Sequence, residues 1–324
     1  MQLLSLVCLS KKEKKLHSSS EHNFDPPIGT LINLSCNVGT ITAPNASPMT
    51  FKGTQTYLVG SNDEVALIDP GPAEDSHFDA IKRSLDRKKL VGIFVTHSHL
   101  DHSPLAKKIS KEYGVSTYGF GSSTDGRSKT MKEIASLGTI GGGEGVDIEF
   151  SPDIKISSGD YVSNSEWTLE AIHLPGHMSN HLCFSLNDGE ALFSGDLVMG
   201  WSTTLISPPD GDIGQYKDSL RRLLERKEEL YFPGHGPPLL KAKKVVSDHL
   251  MHRLDRENAI LSCINANGIN ILDIVNIVYS GLSGNLKYAA ARNVLAHLLE
   301  LKERGLINSD DDDISVHTVF KKLA

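Results

Sequence analysis

The sequence predicts an α/β fold, with helices covering stacked sheets, followed by a small winged-helix unit at the C-terminus. Three observations carry this. Short β-type runs such as "TQTYLVGS", "EVALIDPG", "LVGIFVTH" and "EALFSGD" fill the first two thirds of the 324-residue chain, punctuated by Gly, Pro, Asn and Asp. Amphipathic helical patterns interrupt them, which is how a sheet with helical cover reads. After "FPGHGPP" the pattern turns nearly all helical and ends in two β-type runs around four aspartates: three helices and then a hairpin.

Taken in order, residues 1–28 are polar and rich in Ser, Lys and His, and are expected to form a disordered tail. Residues 29–240 carry the sandwich. Helices are expected at "EDSHFDAIKRSLDRK", "SPLAKKISKEYG" and "GQYKDSLRRLLERKEE"; in the last, Tyr216, Leu220, Leu223 and Leu224 share one face. Residues 121–147 are rich in Gly, Ser and Thr, and read as a mobile surface loop beside the site rather than a core element. Residues 241–324 form a linker helix and the winged-helix-like domain. Its apolar faces in "NILDIVNIVYSG" and "LKYAAARNVLAHLLELKERG" suffice for a small separate module. Removal of residues from about 258 onwards is therefore expected to leave the rest intact. The four consecutive aspartates read as a solvated turn.

Composition narrows the function. A net charge of -7 excludes a generic polyanion binder, so a nucleic-acid substrate needs a local basic patch. One basic stretch offers itself: Lys241, Lys243, Lys244, Arg253 and Arg256. The four cysteines are scattered, with no C-x-x-C, which fits a reducing compartment and argues against a cysteine-ligated zinc. The N-terminal apolar run is short and its lysines follow it, the reverse of a secretory signal. No stretch approaches the roughly 20 apolar residues of a membrane span. The expected location is the cytoplasm, with the mitochondrial matrix as the eukaryotic alternative. Association into a homodimer is left open.

The stretch "THSHLDHS" concentrates the chemistry. It follows the apolar run "LVGIFV". On an extended segment His97 and His99 point the same way and can reach one metal ion. Asp101 and His102 lie where the chain turns into a helix, and can aim at a second point nearby. Three more candidates follow strands and tight turns: His177 in "LPGHMSNH", Asp196 in "LFSGDLV" and His235 in "YFPGHGPP". Imidazoles plus two carboxylates are the donor set of a two-metal hydrolytic site. His173, His249, His252, His297 and His317 are expected to be structural. Ser98 and Ser103 have no visible base and are not nucleophiles.

These residues resemble the metallo-β-lactamase superfamily. Its H-x-H-x-D-H motif is matched by His97, His99, Asp101 and His102, and its later ligands by His177, Asp196 and His235. Its early aspartate is matched by Asp69 in "ALIDPG". The resemblance covers about residues 33–240 and implies an αββα sandwich with metals at one edge. It implies that His97, His99 and His177 hold one divalent ion, that Asp101, His102 and His235 hold a second, and that Asp196 bridges them. Asp69 would orient ligands through hydrogen bonds. Zinc is the default metal, though manganese and iron accept the same set.

An aspartate at 196, where true β-lactamases of this fold have cysteine or serine, resembles the thioesterase and nuclease branches. "NASPMTFKGTQTYLVG", "SPPDGDIGQYKDSLRRL" and "HRLDREN" are similar to lactamase-like hydrolases with a C-terminal winged helix, a group that includes an endoribonuclease. The chain departs from that pattern at Gln55, usually Asn, and at Met178, usually Thr. The expected activity is that of a dinuclear hydrolase using a metal-bridging hydroxide, most simply an endoribonuclease on single-stranded RNA. Asp101 would accept the proton of the nucleophile, and His181 would donate one to the leaving group. The competing expectation is a thioesterase of the hydroxyacylglutathione hydrolase (glyoxalase II) type acting on a small thioester.

Overall fold

A computed structural model of the chain describes residues 24–60, 64–138, 141–282, 285–311, 314–315 and 317–323. The first sheet runs in chain order, from β1 (Leu31–Asn33), β2 (Val38–Thr42), β3 (Gln55–Val59) and β4 (Glu64–Ile68) to β5 (Lys89–Phe94), β6 (Thr117–Gly119) and β7 (Ile154–Lys155). Pairing is antiparallel as far as β4 and parallel from there. The crossovers of the parallel half carry α1 (Asp75–Ser84) and α2 (Leu105–Tyr113). The second sheet contains β8 (Tyr161–Ser163), β9 (Thr168–His173), β10 (Leu182–Leu186), β11 (Ala191–Gly195) and β12 (Tyr231–Pro233), in the order β12-β11-β10-β9-β8. Only the β11–β12 pair is parallel, and α4 (Ile213–Glu225) makes its crossover.

The expected layering follows from strand periodicity. Every residue of β10 and β11 is buried, because both faces are covered. Phe184 and Phe193 point into the sandwich with Phe94 and Phe232. Cys183 and Leu192 point outward, onto Tyr216 and Leu220 of α4. On the far side, Leu67 and Ile93 meet Phe78 and Ile81 of α1 and Ile109 of α2. Helix α4 starts where Asp212 accepts from the backbone N–H groups of Gly214 and Gln215. The result is an αββα sandwich.

The C-terminal unit consists of α5 (Ala242–Cys263), α6 (Ile271–Val278) and α7 (Asn285–Glu303), with a three-stranded sheet of β13 (Ile269–Asn270), β15 (Val319–Lys322) and β14 (Ile307–Ser309). This is the expected winged-helix outline. Among the described residues no helix is long and apolar enough to cross a membrane.

The structure corrects three expectations. Residues 121–147 are not simply a loop: α3 (Lys129–Leu137) lies within them, and its Met131 and Ile134 are buried in one core with Ile260, Ile274 and Leu298. For the same reason the C-terminal unit is not a separate module, since a helix from the sandwich half completes its core. Buried Lys217 of α4 also binds Glu257 of α5 and Glu300 of α7. Finally, the basic stretch forms no common surface. Arg253 is 2% exposed, Arg256 lies over the Tyr279 ring, and Lys243 and Lys244 pair with Glu229 and Asp248. Of the expected tail, residues 1–23 lie outside the described residues. Phe24 rests on the Phe51 ring at 6.2 Å, and Ile28 bridges to Thr42.

Candidate metal centre

All seven residues read as ligands converge at one edge of the sandwich. His97, His99, Asp101 and His102 follow β5, His177 follows β9, Asp196 follows β11 and His235 follows β12. Each leaves a buried strand whose backbone is fixed by ladder bonds, so the side chains are aimed before any ligand arrives.

Hydrogen bonds on the outer nitrogens set the tautomers. Thr96 donates its hydroxyl proton to Asp69 Oδ2 at 2.7 Å, so it accepts from His97 Nδ1 at 3.0 Å. His177 Nδ1 donates to the Leu205 carbonyl at 3.0 Å, and His102 Nδ1 to Asp69 Oδ2 at 2.9 Å. In all three the Nε2 lone pair is left facing inward. His99 Nδ1 then lies 3.0 Å from His97 Nε2 and 3.0 Å from His177 Nε2. A single proton on His99 can satisfy only one of those contacts. Three nitrogens this close suit one shared cation, whose tetrahedral ligands at about 2.0–2.1 Å stand roughly 3.3 Å apart.

A second group adjoins the first. Asp101 Oδ2 is 3.3 Å from His102 Nε2 and 3.2 Å from His235 Nε2. Asp196 lies between the groups, with Oδ1 3.4 Å from His102 Nε2, and Oδ2 3.2 Å from His235 Nε2 and 3.7 Å from His177 Nε2. His102 Nε2 and Asp196 Oδ1 are buried and lack a hydrogen-bond partner among the described residues, a cost that a bound cation removes. A Cβ at Gly234 would stand 2.3 Å from Asp196 Oδ1 and 2.7 Å from His102 Cε1, so glycine there admits this packing. The donor set therefore fits divalent metal.

Electrostatics agree with the geometry. Burial, with the neighbouring imidazoles, lowers the pKa of His97 well below its usual value and that of His99 to about 3. Those side chains are neutral lone-pair donors at pH 7. Burial opposes charge on His102 and His235 as well, but Asp101 and Asp196 outweigh it and raise His235 to about 9. Both carboxylates are driven well below the usual range by these two histidines, against the effect of burial. Acid and imidazole here share charge that a metal would replace.

His181 is a correction. It is fully buried behind the ligands, stacks on His97 at 5.1 Å, and its Nε2 accepts the backbone N–H of Asp196 at 3.2 Å. Burial lowers its pKa well below the usual value. It cannot reach a leaving group; it positions the Asp196 backbone. His173 stacks on Phe120 at 3.7 Å and bonds the Ser179 carbonyl. Glu257, His297 and Glu300 also cluster within 4.8 Å, but Lys217 and Arg304 already occupy their carboxylates. His317 was expected to be structural, yet it is exposed on the wall of the cleft that the candidate ligands also line.

Residues that sequence reasoning passed over complete the site. Thr54, anchored by Asn45, donates to Asp101 Oδ2 at 3.0 Å. Its signal was the "FKGTQT" stretch. The cleft itself measures about 1230 Å³. His99, Asp101, His177, Asp196 and His235 form its floor. The winged-helix side supplies Lys287, Tyr288, Arg292 and His317.

Residues 49–235 match the family described as the metallo-beta-lactamase superfamily, and residues 271–315 match the beta-lactamase associated winged helix domain. The chain belongs to the metallo-beta-lactamase superfamily. It is a hydrolase of that superfamily with metal-binding residues. The beta-lactamase-like protein 2 homolog of Drosophila melanogaster is 30% identical over 308 residues, 90% of this chain and 97% of that protein. An atrochrysone carboxyl ACP thioesterase of Paecilomyces divaricatus is 27% identical over 76% of this chain and 70% of its own. Among solved structures, a beta-lactamase domain protein from Burkholderia ambifaria superposes with a TM-score of 0.75 at 19% identity, covering 95% of this chain and 99% of that one, a likeness of fold.

Proposed function

We propose that this superfamily member is a dinuclear phosphodiesterase that cleaves single-stranded RNA. The observation that carries the proposal is the cleft, in which Lys287, Tyr288, Arg292 and His317 of the winged-helix unit face the candidate ligands across one continuous space. Tyr288 is 78% exposed, which gives a base a ring to stack on, worth about 1–3 kcal/mol. Lys287 bonds only a neutral partner among the described residues, Asn276, and remains available to a phosphate. The molecule is acidic overall, so such binding rests on this local cluster and should weaken with salt.

His97, His99 and His177 would hold one ion, Asp101, His102 and His235 the other, with Asp196 shared. Zinc suits this imidazole and carboxylate set. A pair of divalent ions supplies Lewis acidity and a nucleophile at neutral pH. The chain's own residues do the rest. Asp101 is the partly exposed carboxylate at the floor, fixed by Thr54, and is placed to accept a proton from the attacking group. Lys287 and Arg292 orient the phosphate ester. The unit above the floor keeps the scissile group beside Asp101 and Asp196.

A thioester hydrolase is the second reading. Met49, Leu205, Ile271, Leu272 and Leu295 line the same cleft and would suit an acyl chain, and one relative is named as an ACP thioesterase. Parallel assays of the metal-reconstituted chain on a labelled RNA oligomer, S-lactoylglutathione and a long-chain acyl thioester separate the two. RNA cleavage whose KM rises about tenfold in Lys287→Ala with Tyr288→Ala supports the proposal. Intact RNA alongside rapid thioester hydrolysis rejects it.

A further inference from the structure

Arg253 is 2% exposed on α5, yet no carboxylate pairs with it among the described residues. Burying a cation without a counter-ion is costly, and the groups it binds show what offsets that cost. Its guanidinium lies over the Tyr216 ring at 5.5 Å and donates to the Asn293 side-chain oxygen at 3.3 Å. Its other terminal nitrogen donates to the carbonyl of Thr204, 49 residues earlier.

Thr204 lies in the connection between β11 and α4, which has no sheet or helix bonds of its own at that point. Its buried hydroxyl donates to the carbonyl of Asp196. The next carbonyl along, that of Leu205, accepts the Nδ1 proton of His177 at 3.0 Å. Two consecutive residues therefore hold two candidate ligands. Thr204 fixes the backbone of the carboxylate lying between the two groups, and Leu205 fixes the tautomer and ring plane of His177. Arg253 fixes the carbonyl of Thr204, and with it the peptide plane joining 204 to 205.

We propose that Arg253 and Thr204 are positioning residues. They form a strap by which α5 sets the geometry of Asp196 and His177, and so the affinity for metal. The proposal rests on the reading of those two side chains as metal ligands. It gives the buried cation a specific role: its two hydrogen-bonding arms span from Asn293 of α7 to the ligand loop.

The test uses the full chain. Thr204→Val removes the hydroxyl at nearly constant shape. Arg253→Lys keeps the charge but loses the planar fork, and Arg253→Ala can be complemented by added guanidinium. Ser185→Ala is the control, because it removes another buried hydrogen bond, to Glu228, away from the strap. Zinc affinity by chelator competition, the visible spectrum of the cobalt-substituted protein and the thermal midpoint of the metal-free protein are read together. Thr204→Val and Arg253→Lys should bind metal about 10–100-fold more weakly, with an altered cobalt spectrum. Guanidinium should restore part of the affinity of Arg253→Ala, and Ser185→Ala should lower only the thermal midpoint. If an Arg253 variant does not fold, Thr204→Val decides alone. Wild-type zinc affinity and an unchanged cobalt spectrum in Thr204→Val overturn the strap. Failure of the wild-type chain to bind metal overturns instead the ligand reading beneath it.

Discussion

Asp69 Oδ2 lies 2.9 Å from His102 Nδ1 and 2.7 Å from Thr96 Oγ1, while its Oδ1 accepts the Thr96 backbone N–H at 2.8 Å. One buried carboxylate thus serves three donors, and orients both a candidate ligand and the strand end that leads to the others. Its backbone sits at φ 49, in the left-handed region, which Asn also tolerates. Asp69→Asn therefore isolates the acceptor role without added strain. One amide oxygen cannot replace two carboxylate oxygens, and the amide N–H groups oppose the donors. Metal affinity should fall about 10–100-fold, most at the group containing His102. A two-step metal titration checks this; identical isotherms for the two proteins would show that Asp69 plays no such part.

Asp196 and His173 provide a matched contrast. Asp196 has contacts of 3.2 to 3.7 Å to three imidazoles, His177 of one group and His102 and His235 of the other. Asp196→Ala should lower metal content and reduce turnover at least about 100-fold. His173→Ala loses a ring stack on Phe120 and one hydrogen bond, about 1 kcal/mol each, with metal content kept. Metal analysis and kinetics on the same preparations decide; comparable losses in both variants would contradict the assignment.

The site was legible in the sequence because the His97–His102 cluster directly follows an apolar strand, while His177, Asp196 and His235 each follow a strand and a tight turn, a local signal. The sandwich was legible for the same reason: strands such as β10 and β11 are largely apolar runs, each broken by one serine. The role of 121–147 was obscured by its glycines, although Met131 and Ile134 stand at the i, i+3 spacing of a helix face. His181 has the look of a catalytic histidine from its four-residue distance to His177. Its burial follows from β10, which begins at the next residue and takes the ring behind the ligands. Arg253 gave no local signal that it is buried, since its partner Thr204 comes from a connection 49 residues away.

Acid should weaken the fold through His77. Thr56 donates to the Asp69 carbonyl at 2.6 Å, so it accepts from His77 Nε2 at 2.8 Å, and His77 Nδ1 is buried without a partner among the described residues. Burial lowers the pKa of this imidazole to about 4. The unfolded chain protonates near 6.5, before the folded one, so the stabilisation is complete above that pH and is lost as pH falls towards 4. Between pH 7.5 and 5 this amounts to about 2 kcal/mol. His77→Gln keeps the donor and removes the titration. Urea unfolding of the metal-free proteins should show the wild type losing about that much more than His77→Gln over the interval. Parallel losses in both would place the acid sensitivity elsewhere.

Truncation after residue 257 should destroy the metal site, contrary to what the sequence suggests. Every candidate ligand would survive the cut, but the structure that holds them would not. Met131 and Ile134 would lose the core they share with Ile260, Ile274 and Leu298, each exposing apolar surface worth about 1.5–3 kcal/mol. Lys217 would lose Glu300, and Arg253 would lose Asn293. The segment carrying Met131 also runs on to Asp147, whose N–H bonds the Ser98 carbonyl between two candidate ligands and whose carboxylate accepts from Ser103. Loosening α3 would therefore be felt at His97 and His99. The truncated chain should aggregate or bind metal at least about tenfold more weakly, as read by size-exclusion chromatography and metal analysis. Lys287→Ala with Tyr288→Ala leaves that core untouched, since Tyr288 is 78% exposed, and should keep full metal content while its KM for the RNA oligomer rises about tenfold. A soluble truncated chain with wild-type metal content would show that the winged-helix unit merely adjoins the site.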